Sequence, residues 1–100
     1  MKTLFDKVME ATKLIPKGKV ATYKDIAALI GNPNASRAVG NALKKNPFPS
    51  HIVPCHRVIR SDGNVGGYAH DTPKKIDILR SEGIIIENEK IDLKKFGARF

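Results

Sequence analysis

Apolar residues recur at helical spacing from the start of the chain. Leu4, Phe5, Val8, Ala11, Thr12 and Ile15 share one face, and Lys7, Glu10 and Lys13 are left to solvent. The spacing predicts a supporting core helix over residues 3–15, stopped by Pro16-Lys17-Gly18-Lys19. A second run buries Ile26, Ala27, Leu29 and Ile30, predicting a helix over 23–30. Thr22 and Asp25 have capping-box spacing at its start, and Gly31 supplies the left-handed residue that ends it. Asn32-Pro33-Asn34 makes a tight turn. A third helix, about 35–45, aligns Ala35, Ala38, Val39, Ala42 and Leu43. Two short helices joined by a tight turn, the second basic and rich in small residues, read as a helix-turn-helix.

Beyond a proline-punctuated loop (Asn46-Pro47-Phe48-Pro49) the period changes. Ile52-Val53 and Val58-Ile59 are β-branched pairs on either side of Pro54-Cys55-His56-Arg57. They predict an extended segment, a bend and a second extended segment. Arg60-Ser61-Asp62-Gly63-Asn64 is a turn signal, and Val65-Gly66-Gly67-Tyr68 is the expected return arm of a hairpin. The following loop, through Ala69, His70 and Asp71, reads either as a plain surface loop or as one whose glycines let a flat ligand approach. Thr72-Pro73 opens a further helix containing Ile76, Ile78 and Leu79 and closing at Ser81-Glu82-Gly83. Ile84-Ile85-Ile86 is a short buried strand candidate, Glu87-Asn88-Glu89-Lys90 a turn, and Ile91-Asp92-Leu93 a segment that pairs back. The tail from Lys94 docks by Phe96 or Phe100, or frays. The architecture expected is mainly α with a small β hairpin, a winged helix-turn-helix-like single domain over 1–100 with no N-terminal domain before it.

Charge sharpens this picture. Eighteen Lys and Arg stand against ten Asp and Glu, a net charge of +8 on 100 residues. A compact basic domain meets phosphates or an anionic membrane surface, unless the charge is only a solvated coat. No apolar run approaches membrane-spanning length, and none has signal-peptide form. The lone cysteine forms no internal disulfide, so the expected compartment is the cytoplasm, with a nucleus left open.

Cys55 is the chemically interesting group. A thiol is a weak nucleophile until ionised, at an ordinary pKa of about 8.5, and adjacent positive charge promotes the thiolate. His56 and Arg57 are candidates to supply that environment. Adjacent strand residues point to opposite faces, so Cys55 and His56 cooperate only if the chain turns here or a water bridges them. No zinc-motif spacing recurs among His51, Cys55, His56 and His70, so no metal is expected.

Taken together, Val20-Ala21-Thr22-Tyr23, Asn34-Ala35-Ser36-Arg37-Ala38-Val39-Gly40, Asn46-Pro47-Phe48-Pro49, Pro54-Cys55-His56-Arg57-Val58-Ile59, Gly67-Tyr68 and Ser81-Glu82-Gly83 resemble one family. The likeness is to the C-terminal DNA-binding and active-site domain of O6-alkylguanine-DNA alkyltransferases. It implies a single-turnover repair enzyme, without cofactor, that flips alkylated guanine out of duplex DNA and takes the alkyl group onto Cys55. His56 is then the base acting through a water, and Glu82 its orienting carboxylate. A carboxylate at a helix C-terminus opposes the helix dipole, which favours a role beyond solvation. By the same likeness Arg37 fills the vacated stack and Tyr23 meets the 3′ phosphate and the departing guanine. Ala35, Ser36, Gly40 and Asn41 belong to the DNA-binding helix in the minor groove. Asn46, Pro49, Val58, Tyr68 and Ala69 belong to the pocket. Ala69 stands where many members carry serine, and that removes one hydrogen bond to O6. The partner implied is double-stranded DNA containing O6-alkylguanine, met by a monomer, with other repair proteins as further partners. The second reading is a non-enzymatic alkyltransferase-like sensor that binds alkylated guanine and recruits repair machinery; those proteins usually lack the cysteine. A third is a winged-helix regulator whose cysteine is incidental.

Overall fold

A computed structural model describes residues 2–49, 51–66 and 72–100, with the side chains of Thr72 and Pro73 outside the description. Helices dominate, as the periodicity predicts. Helix α1 (Leu4–Thr12), α2 (Tyr23–Leu29) and α3 (Ser36–Lys44) pack against one another, and α4 (Thr72–Ser81) and a four-residue α5 (Leu93–Phe96) follow. Strands β1 (Ala21–Thr22) and β2 (Val58–Ile59) form one small sheet.

Local chemistry sets the helix ends. Thr22 Oγ1 accepts from the Asp25 amide at 3.0 Å and Asp25 Oδ2 accepts from the Thr22 amide at 3.0 Å, so the expected capping box forms. A second box, Thr3 with Asp6, starts α1 and escaped the sequence reading. Helix α1 ends at Thr12 rather than near residue 15. The chain tightens there into three-residue turns (Leu14 N to Ala11 O, Ile15 N to Thr12 O), yet Ile15 stays buried. Gly31 takes φ +84°, the left-handed stop expected of it.

The sheet corrects one expectation. Strand β2 pairs in parallel with β1, Ala21 opposite Val58 and Thr22 opposite Ile59. It does not pair with the segment after the 60–64 turn as a hairpin arm. That turn does close, with Arg60 N donating to Asn64 O at 3.0 Å. The return arm then departs: Val65 N bonds Glu89 O and Ile91 N bonds Gly63 O, both at 2.9 Å. The rest of the predicted arm, Gly67 and Tyr68, lies outside the described residues. Burial decides the outcome. Val65 and Ile91 enter a second apolar cluster with Val20, Ile59, Leu79, Ile84, Ile86 and Phe96. A two-residue hairpin would leave them to water. The first cluster, including Val8, Ile15, Ile26, Val39, Val53 and Val58, lies among α1, α2 and α3. Alternation along the strand pair therefore feeds both: Ala21 and Val58 face the first cluster, Val20 and Ile59 the second.

The predicted strand at Ile84-Ile85-Ile86 does not form. Ile84 and Ile86 are buried while Ile85 is exposed. The expected turn after it does form, with Asn88 at φ +52° and Glu89 at φ +61° and reciprocal bonds between Glu87 and Lys90. Lys19 Nζ reaches Lys95 O, and Val20 exchanges hydrogen bonds with Phe96 O and Ala98 N, so the tail docks through Phe96. Phe100 remains exposed.

Gly63 shows how tight this clasp is. It holds φ +88°, and a Cβ there would sit 2.9 Å from Ile91 O. Gly63→Ala meets both backbone strain and a clash with a carbonyl that cannot retreat. A loss of roughly 1–3 kcal/mol is expected, read as a lower urea midpoint at unchanged slope.

Candidate active site

The cysteine segment turns rather than extends. Pro54, at φ −79° and ψ 66°, closes a three-residue turn in which Cys55 N donates to Val53 O at 2.8 Å. Arg57 N then donates to Pro54 O at 2.9 Å, and residues Cys55–Arg57 form one turn of 3-10 helix. The arm before it is a turn as well, with Ile52 N and Val53 N both bonded to Pro49 O. Proline's restricted φ makes this bend easy to hold. The condition for cooperation between Cys55 and His56 is thus met by the backbone. Cys55 is 9% exposed and His56 is 1% exposed.

Glu82 arrives from the end of α4. Its amide caps the last turn by bonding Ile78 O and Leu79 O, and Gly83 at φ +93° then releases the chain. The carboxylate meets two partners. His56 Nε2 lies 3.1 Å from Oε1. Arg57 grips both oxygens, Nε to Oε1 at 3.0 Å and Nη2 to Oε2 at 2.5 Å, while its Nη1 donates to Ile15 O at 2.9 Å. An unfavourable acid at a helix C-terminus is here offset by a guanidinium. The donors of Arg57 therefore go to Glu82 and to the turn that follows α1.

These contacts fix charge states. Burial pushes the Glu82 carboxyl up, but the hydrogen bonds and charges of Arg57 and His56 outweigh it and hold the group below its ordinary value. Burial pulls His56 below 6.5, and Arg57 and Lys75 add to that; Glu82 opposes it only in part. An ionised carboxylate only accepts, so His56 Nε2 carries the proton and Nδ1 is the basic nitrogen. Among the described residues Nδ1 has no hydrogen-bond partner.

Both shifts act on stability in one direction. The unfolded chain protonates its histidine near 6.5 while folded His56 resists, and Glu82 holds its charge below the ordinary 4.5. Stability contributed by each is present above the unfolded value and lost as pH falls through the folded one. The urea midpoint is expected to drop as pH falls through and below 6.5, through His56, and to drop further as pH falls below 4.5, through Glu82.

Two more groups belong here. Tyr23 begins α2. Burial raises its phenol, the neighbouring Cys55 raises it further, and Arg60 opposes both. Its ring lies over Gly40, where a Cβ would come within 3.8 Å of Cε1. Lys75 on α4 is 1% exposed and donates to Val58 O at 2.9 Å. Burial lowers it to about 8, with Cys55 opposing. The sequence reading missed Lys75, although its position one helical turn before buried Leu79 placed it on the apolar face.

The remaining expected residues divide by exposure. Arg37 and Asn41 share the exposed face of α3, and Ser36 is half-buried. The Ala35 side chain turns inward to the first cluster. Asn46 is buried, its Oδ1 accepting from Phe48 N at 2.9 Å. Pro49 is exposed and Val58 buried. Tyr68 and Ala69 lie outside the described residues, as does the capping expected of Thr72 and Pro73. Among the described residues no helix is long and apolar enough to cross a membrane.

Comparison with known proteins converges on one group. The family described as "6-O-methylguanine DNA methyltransferase, DNA binding domain" matches residues 3–84. The methylated-DNA–protein-cysteine methyltransferase of Methanothermobacter thermautotrophicus is 42% identical over 83 residues, which is 83% of this chain and 46% of that protein. The human protein of that name is 46% identical over 71 residues, 71% of this chain and 34% of that one. The chain thus spans less than half the length of either relative. Among solved structures, S. pombe Atl1 in complex with damaged DNA containing O6-carboxymethylguanine superposes with a TM-score of 0.86 at 33% identity, covering 100% of both chains. The Mycobacterium tuberculosis OGT in complex with DNA gives 0.78 at 40% identity, covering 83% of this chain and 50% of that one. The chain belongs to the 6-O-methylguanine DNA methyltransferase family, which it matches through that family's DNA-binding domain.

Proposed function

We propose that this protein repairs alkylated DNA by moving an alkyl group irreversibly from guanine O6 to Cys55. The observation that carries the reading is the single buried turn holding Cys55 beside His56, with Glu82 on the ring's far nitrogen. His56 Nδ1, through a water, takes the thiol proton. The thiolate then forms a C–S bond at the alkyl carbon as the C–O bond breaks, and the electron pair leaves with guanine. Tyr23 stands at the start of α2 near the sulfur, suited to hydrogen-bond the departing base. The thioether is stable, so each molecule turns over once and no cofactor enters.

The target base must leave the duplex, at a cost of a few kcal/mol of unstacking. Arg37, exposed on α3, is the residue this reading assigns to fill the gap, and exposed Asn41 and half-buried Ser36 of the same helix are assigned to DNA contact. Asn46, Pro49 and Val58 are the pocket residues this reading assigns by family likeness, and the chain corresponds to the C-terminal domain of the longer relatives. A reactive thiol needs a reducing compartment, which supports the cytoplasm.

The test is incubation with duplex carrying O6-methylguanine, followed by mass spectrometry of the Cys55 peptide. One added methyl on Cys55 is the expected result. Arg37→Ala is expected to slow transfer from duplex more than from a single strand, where nothing need be flipped. End-to-end likeness to S. pombe Atl1 favours a second reading, a damage sensor. Tight binding to the alkylated duplex with an unmodified thiol would select it.

A further inference from the structure

We propose that Arg57 is a positioning residue of the relay: by clamping the Glu82 carboxylate in a two-point fork, it keeps His56 a neutral base. The inference rests on the alkyl-transfer reading and adds to it a residue that sets the protonation state.

The geometry is unequal in Arg57's favour. Glu82 gives Arg57 both oxygens and gives His56 a share of one. The Glu82 side chain is 9% exposed and the His56 side chain 2%, so water screens little of this. A buried carboxylate facing an imidazole alone draws a second proton onto the ring and makes an ion pair. An imidazolium cannot accept the thiol proton. With the guanidinium in the fork, part of the carboxylate's pull on the ring is offset, and this adds to the burial that already disfavours the imidazolium. The field His56 then feels comes from Glu82 on one side and from Arg57 and Lys75 on the other. Cys55 precedes it on the turn, and the charge of Cys55 also acts on the phenol of Tyr23 in α2.

The third donor explains why the fork stays aligned. Nη1 is held by Ile15 O, in the turn that follows α1, 42 residues away in the chain. Arg57 thus joins three separate pieces: the cysteine turn, the end of α4 and the turn that follows α1. Lysine has one ammonium and cannot reproduce that set.

The experiment follows the His56 ring by NMR titration in the free protein, alongside the pH profile of single-turnover methyl transfer. In Arg57→Gln the His56 titration is expected to move to higher pH. The rising limb of the transfer rate should move with it, and the neutral-pH rate should fall roughly 10–100-fold, the usual effect of losing an orienting partner. Arg57→Lys keeps the charge without the fork and is expected to shift both in the same direction by less. It also serves if the Gln variant does not fold. A folded variant that titrates like the parent overturns the proposal. So does a rate that falls equally at all pH with His56 unmoved, the mark of mere loosening. A parent protein that transfers no methyl defeats the repair reading instead, and the titration still decides whether Arg57 governs His56.

Discussion

Changing Cys55 to serine is expected to abolish alkyl transfer while leaving the fold and DNA affinity in place. Serine is near in size, and the turn that carries it is built by Pro54 and backbone hydrogen bonds rather than by sulfur. A hydroxyl is far harder to ionise than a thiol, and a neutral imidazole such as His56 cannot make it a comparable nucleophile toward an unactivated alkyl carbon. Mass spectrometry should find no methylated peptide. Gel-shift affinity for the O6-methylguanine duplex should match the parent's, and thermal unfolding should move by no more than about 1 kcal/mol equivalent. Methyl found on another residue of the variant would show that the acceptor had been misassigned.

Glu82→Gln should produce the second large effect, and it should do so twice. An amide presents one acceptor and one donor where the carboxylate presents two acceptors. It cannot satisfy the Arg57 fork and also fix the proton on His56 Nε2. Transfer is expected to slow by about 10²–10⁴-fold, the span associated with a positioned acid–base group. The fold should lose stability, by at most about 3–5 kcal/mol, because a partly buried guanidinium is left without its counter-charge. Single-turnover rates and urea unfolding of the same preparation report the two effects separately. A variant with parental rate and stability would mean that the 3.1 Å contact between His56 and Glu82 has no consequence.

The second result depends on a contact between residues 26 apart in the chain. That separation marks what could be read from the sequence and what could not. The cap at Thr22 and Asp25, the left-handed stop at Gly31 and the bend at Pro54 were legible because each is decided within about four residues. The helix faces were legible because burial imposes a 3.6-residue period. The grouping of Cys55, His56 and Glu82 was expected from family motifs, and the buried turn with its carboxylate fits that expectation.

Besides the local Thr3–Asp6 box, three long-range features escaped. Strand β2 pairs with β1 across the whole helix-turn-helix, and Val65 is buried in one cluster with Ile91. The fork of Arg57 on Glu82, with its third donor on Ile15 O, joins residues far apart in the chain and is not a local feature. Lys75 was passed over, and it lies fully buried against Val58 O.

The sequence by itself determined the helices, their caps, the bend that carries the cysteine and the family. Short-range sterics, local hydrogen bonds and periodic burial suffice for the first three, and chemically unusual motifs for the fourth. Only the tertiary structure decided which strand pairs with which, which cation neutralises Glu82 and which lysine is buried. Those outcomes come from competition among distant groups for a limited set of apolar surfaces and acceptors, and no local window contains the competitors.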